Sequence, residues 1–404
     1  MGAARFFDVV IVGAGPAGGF LSYLLAAAGL RILLLEKKKL PRYKPCGGGV
    51  TPRALKLLPF DLGTIVEDVT TTARMFVKGR KVFARTYPHA VVSMVMRAKL
   101  DAFLARRAVA AGAALEEGVR FLSAAGPPGG MTIETSAGQV QTIILVGADG
   151  VHSRVARHLD LPVRYRVMTA IETELDVDRR LLDRFRHAFD FDFGVIPHGY
   201  GWVFPKKRHL SVGILTRRGQ AKAIRDDFDR YLRLKGLGAA HIRSLRLHPI
   251  PYAPYRANQY ACGRGLIVGD ATGMADPITG EGIYYALRTA QLAAATVRNF
   301  FIDRARLVDY DAVLRVTVGR EVRYAGLLAD ILYRLPCLSY PVLSRFGDRI
   351  GRKHMEVFEG QVSYPELFRY VVGWKGLKHL LVAPEKTAKT FDDGSQSQYN
   401  GFAK

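Results

Sequence analysis

The glycine-rich turn that follows the first apolar run constrains the fold of this chain more than any other feature. Val9 to Val12 is short, apolar and rich in β-branched residues, as expected of a buried strand. A helix is predicted from Ala17 to about Ala28. Between them the chain reads Gly13-Ala14-Gly15-Pro16-Ala17-Gly18. Gly13 makes the tight bend, Gly15 lets the backbone approach a pyrophosphate, and Gly18 lets helix and strand pack closely. The pattern predicts a dinucleotide-binding unit.

The start of the predicted helix and the next strand complete this unit. Pro16 and Ala17 open the helix, whose free N–H groups and positive dipole end would face the phosphates. A second buried strand, Ile32 to Leu35, ends on Glu36, about 20 residues beyond the turn, where a carboxylate accepts hydrogen bonds from a ribose 2′-OH. An acid here argues against a ribose 2′-phosphate. The neighbouring Lys37 is assigned to the same cofactor site.

The charge balance indicates an anionic partner. The chain has 404 residues, a net charge of +23 and 49% hydrophobic residues, enough for a large core with two or three substructures. Nucleic acid, an acidic lipid surface and an anionic substrate would each suit this charge, and a generally basic surface would also explain it. The sequence has no zinc-finger spacing, RNP motif or basic heptad arm, so we predict no nucleic-acid partner. An anionic membrane surface is the better functional interpretation.

The cysteines and histidines exclude several other classes of protein. The three cysteines, Cys46, Cys262 and Cys337, are too few and too widely spaced for a disulfide framework or a C-x-x-C pair, so a reducing compartment is predicted. The histidines show no ligand spacing, and no metal site is predicted. The sequence contains no G-x-S-x-G nucleophile elbow and no signal-peptide pattern.

Two later strands also run into glycine turns. Thr142 to Val146 leads into Gly147-Ala148-Asp149-Gly150, and Leu266 to Val268 leads into Gly269-Asp270-Ala271. Asp149, Gly150 and Asp270 are therefore candidate cofactor contacts, with Asp270 placed to accept from a polyol hydroxyl. A plain turn with a helix cap at Ser153 would equally explain Asp149 and Gly150.

A loop and two helices add further candidates for the cofactor site. Gly280 and Gly282 precede a helix predicted from Ile283 to Phe301, whose first N–H groups could face a pyrophosphate or a flavin ring oxygen. Arg97 lies in a helix predicted from Met94 to Gly112 and could reach a ribityl chain or a phosphate. It could equally form an i,i+4 ion pair with Asp101, and both interpretations stay open.

Alternating aromatic residues mark a candidate substrate wall. In the sequence Tyr200-Gly201-Trp202-Val203-Phe204-Pro205, the period of two places Tyr200, Trp202 and Phe204 on one face of a strand. Such a wall suits a flat ring or a long apolar chain. Core packing alone would also explain it.

A loop with one thiol and three glycines follows the dinucleotide-binding unit. It reads Pro41-Arg42-Tyr43-Lys44-Pro45-Cys46-Gly47-Gly48-Gly49. Glycines let a backbone approach a flat cofactor and adopt positive φ. Cys46 there could donate a proton, react with an electrophile or simply pack. Cys46, Gly47 and Gly48 are therefore assigned to the cofactor site.

The order of elements predicts a discontinuous nucleotide-binding domain. Its segments are 1–70, 94–160 and 260–300, and a β-rich substrate domain is predicted from 71–93 and 161–259. Residues 301–404 form a helical C-terminal region, with helices expected up to about Leu381. The predicted fold class is α/β, with a Rossmann-type domain, an inserted antiparallel sheet and C-terminal helices.

Together these motifs resemble the geranylgeranyl reductase family of flavoproteins, within the larger group that shares the glutathione reductase and aromatic-ring hydroxylase fold. The glycine turn at Gly13, the Cys46 loop, the Asp149 turn and the Asp270–Gly282 segment match in order, roughly over Asp8 to Leu381. Tyr200, Trp202, Phe204 and Pro205 resemble that family's Y-x-W-x-F-P substrate-pocket motif. The family pattern continues to G-x-G, whereas here Gly213-Ile214-Leu215 keeps only the first glycine.

The resemblance implies FAD bound in an extended form and reduced flavin that delivers hydride to isolated C=C bonds of a prenyl chain. It makes Cys46 the candidate catalytic residue, close to the flavin and able to assist protonation, although Cys46 as a small packing residue stays an alternative. It makes Tyr200, Trp202, Phe204 and Pro205 the candidate substrate contacts. Diether lipids, geranylgeranyl diphosphate, a chlorophyll side chain and a quinone tail all remain candidate substrates.

Two rival functions and the electron donor stay open. A flavin monooxygenase or halogenase would use O₂, but the W-x-W-x-I-P halogenase motif is missing. A flavoprotein that only binds prenyl lipid is the non-enzymatic alternative. Because no second nucleotide-binding repeat is visible, NAD(P)H docking transiently or ferredoxin is the expected reductant. The expected location is cytoplasmic, peripheral to the inner face of the membrane.

Overall fold

The strands of the protein form three sheets. The computed structural model describes residues 5–126, 130–217, 221–253 and 257–373. The strands are β1 Phe6–Val12, β2 Ile32–Glu36, β3 Gly49–Val50, β4 Val66–Thr70, β5 Thr72–Val77, β6 Arg80–Thr86, β7 Val92–Val95, β8 Ala114–Glu117, β9 Phe121–Ala125, β10 Met131–Thr135, β11 Gly138–Gly147, β12 Arg166–Asp176, β13 Ala188–Phe193, β14 Gly199–Pro205, β15 Leu210–Thr216, β16 His241–Tyr252, β17 Ala261–Cys262 and β18 Gly265–Ile267.

The helices lie on the first and second sheets and in the C-terminal region. They are α1 Pro16–Ala27, α2 Pro52–Leu55, α3 Arg97–Ala110, α4 Arg154–His158, α5 Arg179–Asp183, α6 Ala221–Leu234, α7 Ile283–Asp303, α8 Asp309–Val316, α9 Val318–Arg334, α10 Pro336–Glu359 and α11 Tyr364–Val372. Short 3-10 helices span Gly63–Ile65 and Gly269–Thr272. None of the described helices is both long and apolar enough to span a lipid bilayer.

The first sheet confirms the predicted Rossmann-type architecture. Its order is β17-β18-β11-β1-β2-β8, and β1 pairs in parallel with both β11 and β2. Strand β18 also runs parallel to β11. The turns after β1, β11 and β18 therefore lie along the same edge, where the carboxyl ends of parallel strands meet. In open α/β sheets this edge binds ligands.

The second sheet carries the aromatic strand. Its order is β16-β12-β15-β14-β13-β5-β6, and all its pairs are antiparallel except β13 with β5. The expectation of an antiparallel sheet is thus correct for five of its six strand pairs. Strand β5 reaches this sheet from the segment before Arg97, because the chain leaves the nucleotide-binding region and returns to it.

The predicted start of the Arg97 helix is wrong by three residues. Val92–Val95 forms β7, which pairs with β3 and β4 in a small third sheet, and the helix begins only at Arg97. The hydrophobic pattern of these buried residues is compatible with either a short strand or a helical turn. Pairing with neighbouring strands decides between the two. The helix predicted from Ile283 begins there and continues to Asp303.

Three apolar clusters divide the described core. One contains the first sheet with α1, α3 and α7. The second joins the aromatic face of the second sheet to α9, α10 and α11. The third packs α5 and α6 against β12, β14 and β15. The C-terminal helices confirm the predicted helical region as far as Val372, and the stretch from there to Leu381 lies mostly outside the described residues. The second cluster places C-terminal side chains next to the predicted substrate wall.

Candidate cofactor and substrate site

A long cleft lies at the carboxyl edge of the first sheet. Its inner part lies beside the aromatic strand β14 and spans about 1310 Å³, and its outer part lies at the end of β2 and spans about 1860 Å³; both figures include open solvent. Gly15, Lys44, Gly150 and His248 line both parts, so the two parts meet at the first glycine turn. The cleft is therefore elongated, as an extended dinucleotide requires.

The three fingerprint glycines differ in their surroundings. Gly13 has φ of 104°, and a Cβ there would lie 2.5 Å from the carbonyl oxygen of Ala148. A Cβ on Gly18 would lie 1.9 Å from the oxygen of Gly13. A Cβ on Gly15 would meet no described atom, apart from its chain neighbours, nearer than the Arg97 guanidinium at 4.0 Å. Gly15 thus borders open space in the cleft, whereas the other two allow close backbone packing.

Pro16 and Ala17 begin α1 at the wall of the inner cleft. Among the described residues no side chain caps the N-terminus of α1, and none caps the N-terminus of α7. The N-terminal N–H groups of a helix need partners and favour negative charge. Two uncapped helix ends on one cleft, with open space above Gly15, fit the phosphates of a dinucleotide.

Glu36 is buried where β2 ends and lines the outer cleft beside Lys37. Its Oε2 accepts hydrogen bonds from the Ala14 N–H at 3.0 Å and from Arg42 at 2.9 Å. Arg42 also donates to Asp101 at 2.8 Å. Sequence reasoning missed Arg42, whose only signal was its place in the loop after β2. The carboxylate is therefore held in place and partly neutralised before any ribose binds.

The structure shows the ion pair of Arg97 and leaves its cofactor contact a prediction. Its Nε and Nη2 donate to the two Asp101 oxygens at 2.9 and 3.0 Å, so the i,i+4 ion pair exists and is bidentate. The same guanidinium lines the inner cleft and faces Gly15. The ion pair fixes the orientation of Arg97, and the cationic edge that faces Gly15 can still approach a phosphate.

Asp149 and Gly150 line the outer cleft, but the Asp149 carboxylate is already engaged. It accepts hydrogen bonds from Ser153 Oγ at 2.5 Å and from the N–H groups of Arg154 and Val155 at 2.7 and 3.2 Å. Ser153 caps α4 as the alternative interpretation expected. Gly150 has φ of 84°, a left-handed conformation that favours glycine. Asp149 thus organises this turn.

The Asp270 and Gly280–Gly282 segments form the other end of the inner cleft. Asp270 lies 3.7 Å from Lys44 Nζ, and Gly280 has φ of 69°. Gly282 precedes α7, which begins at Ile283, and all of these residues line the cleft. Sequence reasoning missed Glu281 between them, which accepts a hydrogen bond from Thr51 at 2.6 Å and pairs with the buried Arg53.

The loop that carries Cys46 packs against the aromatic strand β14. Cys46 is half-buried in the inner cleft, and its Sγ accepts a hydrogen bond from the Gly48 N–H at 3.3 Å. A Cβ on Gly47 would lie 2.8 Å from the Phe204 ring and 3.0 Å from Trp202 Nε1. Gly47 therefore allows the loop to pack directly on the wall. Cys46, Gly47 and Gly48 all face the inner cleft, where sequence analysis placed them.

A buried lysine holds this loop, and sequence reasoning missed it. Lys206 is fully buried one residue beyond β14, and burial lowers the pKa of its ammonium group. Its Nζ donates to the carbonyl oxygens of Gly47 at 2.6 Å and Val95 at 3.0 Å. The motif Y-x-W-x-F-P is thus followed by a residue that fixes the thiol loop to the same strand.

Tyr200, Trp202 and Phe204 share one face of β14 and line the inner cleft. Neighbouring ring centroids are 5.9 and 6.4 Å apart. Gly213, the glycine that this chain retains from the family pattern, makes room for Trp202, because a Cβ there would lie 2.2 Å from the indole. Among the described residues no hydrogen-bond acceptor partners the buried Nε1 of Trp202.

Pro205 differs from the other three predicted substrate contacts. It is not among the described residues that line the cleft. Successive side chains of a strand point to opposite faces, so the residue after Phe204 lies on the other side of the sheet from the wall. We therefore assign Pro205 to the end of β14 rather than to the substrate surface.

Glu172 is an unpredicted acid in the inner cleft. It is 2% exposed and accepts hydrogen bonds from Tyr43 Oη at 3.0 Å and Ser211 Oγ at 3.1 Å. Burial, together with the nearby Glu174 carboxylate, raises the pKa of Glu172 to about 8. A carboxyl with this pKa keeps its proton at neutral pH. The available sequence signal was the pair of acids Glu172 and Glu174 two positions apart in β12, which places both on one face of the strand.

The residues of the cleft fit FAD. The described part of the chain holds no cluster of three or more histidine, cysteine or acidic side chains that could bind a metal ion.

Residues 7–296 match the family model of the FAD binding domain. An uncharacterized protein of Methanosarcina barkeri is 32% identical over 307 residues, which are 74% of this chain and 78% of that protein. The chloroplastic geranylgeranyl diphosphate reductase of Nicotiana tabacum is 32% identical over 376 residues, 87% of this chain and 79% of that protein.

Solved structures share the fold. A geranylgeranyl bacteriochlorophyll reductase-like protein of Thermoplasma acidophilum has a TM-score of 0.75 at 22% identity, covering 93% of this chain and all of that one (100%). A flavin-dependent brominase has a TM-score of 0.71 at 17% identity, with 93% of this chain and 100% of that chain covered. At these identities the likeness concerns architecture alone, so the two structures do not decide between reduction and halogenation.

Proposed function

The chain belongs to the geranylgeranyl reductase family of FAD-binding oxidoreductases, and we propose that it saturates C=C bonds of a prenyl chain. The observation that carries the proposal is the packing of the Cys46–Gly47 loop on the Trp202 and Phe204 rings within one cleft. This arrangement combines an apolar wall for an isoprenoid chain with a thiol at the FAD-binding edge.

Reduction of an unactivated alkene needs a hydride on one carbon and a proton on the other. Bound FAD, once reduced, supplies the hydride. The aromatic wall excludes water and holds the alkene, and orientation of this kind supplies much of the rate in such reactions. Cys46 is the proposed proton donor, because it is the thiol that lines the cleft beside the wall.

Each saturated bond consumes a proton that must reach an apolar cleft from water. Glu172 lines the cleft, and its partner Tyr43 is 38% exposed. The Tyr43 hydroxyl donates to Glu172, so a partly exposed side chain is hydrogen-bonded to the acid in the cleft. We assign Glu172 and Tyr43 to the resupply of protons between turnovers.

The substrate and the electron donor are parts of the same proposal. A prenyl diphosphate or a prenyl lipid fits the apolar wall. The donor is NAD(P)H binding transiently or ferredoxin, since the sequence contains no second dinucleotide-binding motif. NAD(P)H and reduced ferredoxin, offered separately to the oxidised enzyme, distinguish these donors.

The proposal is tested with prereduced enzyme under strictly anaerobic conditions. Geranylgeranyl diphosphate and a digeranylgeranyl glycerolipid are offered separately after dithionite reduction. We expect reoxidation of the flavin and a product with two additional hydrogen atoms for each bond saturated, detected by mass spectrometry. Product formation that requires O₂ would instead support a monooxygenase or halogenase. Substrate binding with no reoxidation would support a lipid-binding flavoprotein.

The rate of repeated turnover should depend on pH through Glu172. The neutral acid can donate a proton and the carboxylate cannot, so with excess dithionite the steady-state rate should fall as pH rises through about 8. Glu172→Gln, which cannot donate a proton, should be slower and should lose this decline.

Two variants separate this role from a packing role. Tyr43→Phe keeps Glu172 but removes its hydrogen-bond donor, so turnover should slow. The pH midpoint should move to higher pH, because the hydrogen bond from Tyr43 lowers the pKa of Glu172. Glu174→Gln removes the like charge beside Glu172, so the midpoint should move to lower pH. A wild-type pH profile in Glu172→Gln would show that protons enter by another path.

A further inference from the structure

The turn between α9 and α10 exposes apolar side chains. Leu335 is 51% exposed and Leu338 is 59% exposed, and Pro336 and Cys337 between them are exposed as well. We call residues 335–338 the α9–α10 tip. Four consecutive exposed residues without a charge are unusual on a surface where Lys and Arg are so frequent.

The tip is flanked by buried residues of the apolar cluster that contains the cleft wall. Tyr333 and Tyr340, on either side of it, are buried in the same apolar cluster as Tyr200 and Trp202. The Tyr333 hydroxyl donates to the Ile278 carbonyl at 2.6 Å, in the loop that leads to α7. Exposed leucines and buried residues of the wall cluster therefore lie within a few positions of each other along the chain.

Cationic side chains lie on the elements that flank the tip. Lys78 lies with its Nζ 5.9 Å from the centre of the Tyr340 ring, and Arg334 and Arg345 are exposed on α9 and α10. Arg334 pairs with Asp330, which also pairs with Arg217, so this acid is shared by two cations. The net charge of +23 adds to this local excess. Exposed apolar side chains with cations on the flanking elements match the interface of an anionic bilayer, where acyl chains lie beneath negative headgroups.

We propose that the α9–α10 tip docks this protein on anionic lipid bilayers, with Leu335 and Leu338 inserted at the interface and Lys78, Arg334 and Arg345 on the headgroups. This inference rests on the proposed function, since a prenyl lipid held in a bilayer is the substrate that such docking would serve. The adjoining Tyr333 and Tyr340 then place the cleft wall close to the membrane surface.

Vesicle cosedimentation tests the docking directly. Wild-type holoenzyme should bind vesicles of mixed phosphatidylcholine and phosphatidylserine more tightly than pure phosphatidylcholine, and added salt should weaken the binding. Leu335→Ser with Leu338→Ser should weaken it by at least about tenfold. The matched control is Leu122→Ser with Ile302→Ser, which removes two side chains of similar exposure (52% and 69%) far from the tip along the chain. The control should bind like the wild type.

A label on the tip gives a second readout. Cys337 is exposed, whereas Cys46 and Cys262 are half-buried. In a variant with Cys46→Ser and Cys262→Ser, an environment-sensitive dye on Cys337 should shift to the blue with anionic vesicles. An unshifted dye, or equal vesicle binding by the tip variant and the wild type, overturns the inference. So does a tip variant that changes only the oligomeric state, or crosslinking of residues 374–404 to the tip on vesicles.

Turnover separates this inference from the proposed function. With detergent-dispersed substrate the tip variant should reduce prenyl chains at the wild-type rate, and with vesicle-embedded substrate it should be slower. Tip-dependent vesicle binding without any prenyl reduction would leave the docking standing and reject the function. Normal prenyl reduction, combined with vesicle binding that does not depend on the tip, would support the function and reject the docking.

Discussion

Gly15→Leu is expected to yield a colourless protein that does not retain FAD. Among the described residues, and apart from its chain neighbours, a Cβ at this position meets nothing nearer than the Arg97 guanidinium at 4.0 Å. A leucine side chain would therefore occupy the cleft where the pyrophosphate must approach the backbone. We expect FAD affinity to fall by at least about 100-fold, or about 2.8 kcal/mol at 1.4 kcal/mol per factor of ten. Flavin titration of the apoprotein measures this loss.

Gly326→Ala is the matched control for this prediction. A Cβ on Gly326 would also meet nothing nearer than 4.0 Å, but this glycine lies in α9, away from the residues that line the cleft. The Gly326→Ala protein should bind FAD normally. Gly15→Ala makes the same substitution in the cleft and should bind FAD more weakly than the wild type. Melting temperatures of the apoproteins report on folding independently of the cofactor. Retention of FAD by a folded Gly15→Leu protein would contradict the assignment.

Cys46→Ser should slow prenyl reduction by about 100-fold or more, while FAD binding and flavin reduction by dithionite remain normal. A positioned proton donor contributes about 10²–10⁴-fold in rate, and a serine hydroxyl is a much weaker acid than a thiol. Serine preserves the size of the side chain and can still accept the hydrogen bond from Gly48. Anaerobic single-turnover oxidation of prereduced enzyme by the prenyl substrate is the measurement.

Cys262→Ser is the control for this substitution. Its thiol is also half-buried, and it donates to the Leu159 carbonyl at 3.4 Å, outside the cleft lining. This variant should react at the wild-type rate. If Cys46→Ser also reacts at the wild-type rate, Cys46 is a packing residue and the proton comes from elsewhere, with Glu172 as the next candidate to test.

The dinucleotide-binding elements were predictable because their signals are local. The turn at Gly13, the start of α7 at Ile283 and the one-sided aromatics of β14 follow from backbone sterics and from the periodicities of helices and strands. One expectation that failed, a helix beginning at Met94, concerned buried residues whose state depends on pairing with β3 and β4. Pairing between segments distant in the sequence leaves no short-range signal.

The sequence by itself determined the family, the α/β architecture and the residues of the glycine turns, because each depends on motifs read within a few residues. Only the tertiary structure decided which distant groups meet in the cleft. It brings Arg42 to Asp101, Lys206 to Gly47 and Tyr43 to Glu172. It also places Pro205 outside the described cleft lining. The reason is that burial and charge pairing depend on the packing of the sheets. The hydrogen bond from Tyr43 to Glu172 and the raised pKa of Glu172 therefore arise only when the chain folds.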